Sequence, residues 1–104
     1  MTASGFLTVA PRTEGSMAPE IAKAVDALEE YDVRYETTAM GTLLEAENAS
    51  TLFAAAGGAH EAVDSDRVVT FLKVDDKRAT DDPMEAKVEA VERELGREPA
   101  GGPE

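Results

Sequence analysis

The chain contains no cysteine and no tryptophan, and its aromatic residues are limited to two tyrosines and three phenylalanines among 104 residues. The missing cysteine excludes disulfides, thiolate zinc sites and cysteine nucleophiles. With His60 as its one histidine, the sequence offers no second partner for a familiar catalytic triad or a paired-histidine metal site. Basic residues are also scarce: 10 lysines and arginines face 22 acids, a formal net charge of −12. Such a surface repels phosphate backbones and anionic membranes, so neither nucleic acid nor a membrane is an expected partner. No apolar run approaches the ~18 residues of a spanning helix. Met1–Gly5 has no basic stretch leading into an apolar one, so no secretory signal is readable and a cytoplasmic location is expected. The acids are spread through every helical segment rather than gathered at ligand spacing, which favours a solvated surface suited to high salt over a metal store.

What remains is a chain that is 42% apolar, enough for a single core. One domain is expected over residues 1–95, with a disordered tail over 96–104, where no apolar side chain larger than proline occurs. Phe6–Ala10 is β-rich, closed by Pro11, and its alternation sends Leu7 and Val9 to one face. Pro19 suits a first helical turn, and Ile21, Val25 and Leu28 make one apolar stripe through to about Glu30. Asn48 or Ser50 can cap a second helix with the stripe Leu52, Ala56, Ala59 and Val63, in which Gly57-Gly58 implies either a close backbone contact or a local irregularity. Arg67–Asp75 is the clearest strand, with Val68, Thr70, Leu72 and Val74 on one face and Val69, Phe71, Lys73 and Asp75 on the other. Asp82-Pro83-Met84-Glu85 reads as an N-cap with a first-turn proline and a capping glutamate, opening a helix with the stripe Met84, Val88, Val91 and Leu95.

Between the first two helices lies Tyr35–Glu47, two extended segments hinged at Met40-Gly41. The resulting order is strand, helix, hairpin, helix, strand, with one more helix. It predicts an α+β, ferredoxin-like βαββαβ sandwich on a four-stranded antiparallel sheet, plus a C-terminal helix. Strands are expected near 5–10, 33–38, 41–47 and 67–75. Two helices cover one face of such a sheet, so Phe6, Val69 and Phe71 on the other call for a further cover, most economically a second copy of the chain.

The hairpin Tyr35–Thr42, the helix end His60-Glu61-Ala62, the strand end Lys73–Arg78 and the helix Met84–Glu89, in this order and spacing, resemble the small thiamine-binding-protein family. The resemblance runs from the first strand to Leu95. It implies non-catalytic binding of thiamine or its hydroxymethylpyrimidine portion, no enzymatic cofactor, and assembly through sheets into a dimer or tetramer. The run Ala54–Gly58, and Ala39 where the family pattern has proline, depart from it.

With the resemblance in view, Tyr35, Thr38, Met40, Gly41, Thr42, Glu45, Lys73 and Asp75 are the candidate ligand residues. Tyr35 offers a stacking wall, and Thr38 and Thr42 offer hydroxyls. Gly41 either frees the backbone of a tight hairpin or lets a flat ring approach it. Glu45 and Asp75 suit a cation or an amino-substituted ring; equally, they are strand-edge acids paired with a neighbour such as Lys73 or Arg78. His60 reads more simply as a packed, hydrogen-bonded helix residue than as an acid-base group. The contrasting reading of the whole chain is an interaction protein whose sheet serves assembly, with no small-molecule ligand.

Overall fold

The computed structural model describes residues 1–101, so the last three positions of the expected tail, 102–104, lie outside the described residues. The elements are β1 (Thr2–Pro11), α1 (Ala18–Ala27) continued by a 3-10 turn (Leu28–Glu30), β2 (Arg34–Thr37), β3 (Thr42–Ala46), α2 (Ala49–Glu61), β4 (Val68–Lys77) and α3 (Glu85–Leu95). The sheet order is β2-β3-β1-β4, and every neighbouring pair is antiparallel. This is the ferredoxin-like plan with an added C-terminal helix. No helix among the described residues is long and apolar enough to cross a membrane.

Alternation along the strands sorts the two faces. Ala3, Leu7 and Val9 of β1 and Leu44 and Ala46 of β3 are buried beneath α1 and α2, together with Leu28, Leu52, Ala55, Ala56, Ala59 and Val63. All four members of the second-helix stripe are therefore core. The small side chains let α2 lie close to the sheet, and Gly58 extends that logic to the loop after α1. A Cβ on Gly58 would stand 2.4 Å from Tyr31 Oη, so the Tyr31 ring occupies the missing side chain's place and the helix runs unbroken through the glycine pair. Asn48 caps the helix, its Oδ1 accepting from the Thr51 backbone N–H at 2.9 Å.

Three boundaries differ from the sequence expectation by two residues or more. The first strand begins at Thr2 instead of residue 5, because Ala3 and Gly5, poor strand formers in isolation, are buried against the helix layer. The last strand runs to Lys77, held by the Thr2↔Lys77 and Ala3↔Asp76 pairings with that same extension. Asp82 does not cap α3: the helix starts at Glu85 with no local side-chain cap, and Glu45 of β3 reaches the Met84 N–H at 2.6 Å. A carboxylate from the sheet thus supplies the negative charge that a helix N-terminus attracts.

Candidate functional site

Three groups of side chains contain the residues that the sequence singles out. The first is a cleft of about 300 Å3 between α1, the end of β1 and the turn joining β2 to β3. One wall is Met17, Ile21, Ala24, Val25 and Leu28; the other is Thr37, Thr38, Ala39, Met40, Gly41 and Thr42, with Leu7 and Val9 between them. No lining side chain is charged. Ile21 and Val25, two members of the apolar stripe of α1, are only half-buried because the cleft lies over them.

The turn is internally bonded. The Thr38 hydroxyl donates to the Gly41 carbonyl at 2.8 Å and accepts from the Met40 and Gly41 backbone N–H groups at 3.2 and 3.3 Å. The Thr37 and Thr42 hydroxyls lie 3.3 Å apart across the β2–β3 pairing. Thr42 is 6% exposed, so its hydroxyl is a buried polar atom in a wall that also carries Thr37 and Thr38. Gly41 needs no unusual backbone, since the one positive φ among the described glycines is at Gly96. A Cβ on Gly41 would stand 2.6 Å from Phe6 Cζ and 2.9 Å from the Leu7 carbonyl oxygen. The place of the missing side chain is taken by the chain's own Phe6 ring.

The second group lies on the opposite face of the sheet and clasps α3. Arg34 binds Glu45 at 2.7 Å and Glu85 at 2.8 Å, while Lys87 pairs with Asp75. The Arg34 guanidinium holds the Glu85 carboxyl down to about 2 and is itself raised by the two acids. The hydrogen bond from Lys87 lowers Asp75 in the same way. Beneath the clasp is a second cavity, about 280 Å3, lined by Ser4, Phe6, Leu43, Lys73, Asp75, Met84, Lys87 and Val88. The third group is on β2 and at α2: Tyr35 donates to Glu29, and His60 Nδ1 is 2.5 Å from Thr70 Oγ1. His60 thus ties α2 to β4 and stands apart from both cavities.

The eight candidate residues therefore divide. Thr38, Met40, Gly41 and Thr42 meet in the cleft. Glu45, Lys73 and Asp75 lie on the other sheet face, where Glu45 and Asp75 are occupied by Arg34 and Lys87, and Tyr35 is held by Glu29. The α1 wall and Met17 escaped the sequence reading because an apolar stripe at helical spacing has the same signature whether it faces a core or a cleft. Thr37 was legible only through its pairing with Thr42. Among the described residues no group of histidine and acidic side chains is placed to hold a metal ion.

The four-stranded antiparallel sheet and its helices place the chain among the small ferredoxin-like α+β proteins. The family model for thiamine-binding proteins matches residues 6–92, and the chain belongs to that family. It is 47% identical over 94 residues to a UPF0045 protein of Methanothermobacter thermautotrophicus, covering 86% of this chain and 95% of the relative. A UPF0045 protein of Methanocaldococcus jannaschii is 34% identical over 88 residues, covering 82% and 87%. A crystal structure of a Methanocaldococcus jannaschii protein superposes with a TM-score of 0.78 at 32% identity, over 86% of this chain and 95% of that one. A Thermotoga maritima structure, provisionally described as a thiamine biosynthesis/salvage protein, shares the fold with a TM-score of 0.72 at 19% identity, over 88% and 99%.

Proposed function

We propose that the protein binds thiamine or its hydroxymethylpyrimidine portion, without catalysis, in the cleft between α1 and the hairpin turn. The observation that carries this reading is the meeting of Thr38, Met40, Gly41 and Thr42 around one uncharged cleft of about 300 Å3, in a chain of the thiamine-binding family. That volume is at the small end of ligand pockets and suits a single aromatic ring with a short substituent. The pyrimidine lies against Ile21, Val25 and Leu7, its amino group and ring nitrogens meeting the Thr37 and Thr42 hydroxyls. The thiazolium of thiamine stays at the mouth. There the net charge of −12 draws in a cation without a dedicated carboxylate in the wall. Calorimetric titration with thiamine and with the hydroxymethylpyrimidine tests it; a protein indifferent to both at millimolar concentration removes it.

A reading based on assembly has its own observation. Val69 and Phe71 on the open sheet face and Val88, Val91 and Leu95 on α3 are all about half exposed, and α3 buries no residue of its own. We propose that a second copy covers this surface, giving a homodimer or a tetramer. The cleft is on the helix side of the sheet, so assembly and ligand binding are compatible. Light scattering that finds only monomer at micromolar concentration and high salt removes the assembly.

A further inference from the structure

With no cysteine in the chain, every oxidisable sulfur belongs to one of four methionines, and their distribution is uneven. Met40, 81% exposed, sits in the hairpin turn; Met17, 47% exposed, immediately precedes α1. Both line the same cleft, one on each wall. Met84 is half-buried at the start of α3 on the opposite sheet face, and Met1 is at the chain terminus beside Asp81. The helix-side position of the cleft also leaves Met17 and Met40 open to solvent when the apolar sheet face is covered by a second copy.

We propose that Met17 and Met40 are modification sites, at which oxidation by a peroxide closes the cleft to a ring ligand and reduction reopens it. The proposal rests on the ligand reading above. A thioether lone pair attacks one peroxide oxygen, an S–O bond forms as the O–O bond breaks, and the other oxygen leaves as water. Sulfur is oxidised by two electrons and the peroxide is reduced. A dithiol-dependent sulfoxide reductase reverses the change, its two thiols becoming a disulfide as the sulfoxide oxygen departs as water. The reduced side chains are flexible, polarizable and apolar, suited to packing on a ring. The sulfoxides are strong dipoles that hold water at the rim, and this rim has no charged side chain to engage them.

The test treats the intact protein with hydrogen peroxide, maps sulfoxides by peptide mass spectrometry, and titrates the hydroxymethylpyrimidine before treatment, after it, and after enzymatic reduction. Phenol is titrated in parallel as a neutral ring probe. Met40 and Met17 are expected to oxidise ahead of Met84, with affinity falling by about tenfold or more and returning on reduction. The double variant Met17→Leu, Met40→Leu is expected to bind equally before and after peroxide, whatever its own affinity, whereas Met84→Leu keeps the full response. Equal affinity of the oxidised and reduced wild type overturns the proposal, as does a peroxide response that survives in the double variant. Binding of phenol without the pyrimidine, lost on oxidation, refutes the ligand and upholds the switch. Indifference to both probes overturns both.

Discussion

The ring of Phe6 lies where a side chain on Gly41 would stand, with Phe6 Cζ 2.6 Å from the position of an added Cβ. Phe6 also floors the cavity under α3, so one aromatic side chain stands between the hairpin turn and the clasped helix on the same face of the sheet. Gly41→Ala forces the ring and the Leu7 carbonyl to shift. The expected cost is about 1–3 kcal/mol of stability, together with weaker ligand binding. Phe6→Leu in the same chain should recover part of it, because it removes the ring contacts and leaves only the one with the Leu7 carbonyl. Denaturant unfolding of the two single variants and the double variant measures the coupling.

Glu45→Gln and Asp75→Asn should leave pyrimidine affinity within about twofold, since both carboxylates are engaged in holding α3 on the face away from the cleft. Their effect should appear as faster hydrogen exchange in α3. A loss of one to two orders of magnitude in affinity from either substitution would place the acid at the ligand instead.

The clasp also predicts an acid response. Arg34 depresses Glu85 from 4.5 to about 2, so the folded state binds this proton less readily than the unfolded chain. Its contribution is fully present above pH 4.5 and is lost as the pH falls through about 2. Asp75, lowered by Lys87, has the same sign. Hydrogen exchange or side-chain NMR should show α3 released over this window before the sheet unfolds. Arg34→Gln should move the Glu85 titration upward toward its ordinary value.

The charge of −12 predicts a thermal midpoint that rises between low salt and molar potassium chloride, as screening relieves self-repulsion. Because salt also weakens the exposed Arg34 and Lys87 pairs, exchange in α3 should rise less steeply in protection than the core does. A flat or falling midpoint contradicts this.

The fold was legible because its signals agree: a period of two in β4, helical stripes in all three helices, and a Met40-Gly41 hinge between extended segments. The long-range devices were not. Glu45 capping α3 joins residues far apart in sequence, and Asp82, with a locally plausible cap pattern, loses to it. The turn half of the cleft could be read from Thr38–Thr42. The α1 half could not, since Ile21 and Val25 carry the same apolar signature as the core residue Leu28, and only the tertiary arrangement shows which are left partly uncovered.

The most direct measurement is calorimetric titration of the hydroxymethylpyrimidine, at fixed high salt, into wild type, Thr42→Val and Val25→Phe. Thr42→Val removes the hydroxyl from the wall at nearly constant shape, and Val25→Phe fills the cleft from α1. Wild type should bind, Thr42→Val should lose about 3- to 10-fold for one hydrogen bond, and Val25→Phe should abolish binding while remaining folded by circular dichroism. Binding unchanged in a folded Val25→Phe, or absent from wild type at millimolar ligand, would contradict the assignment of the cleft.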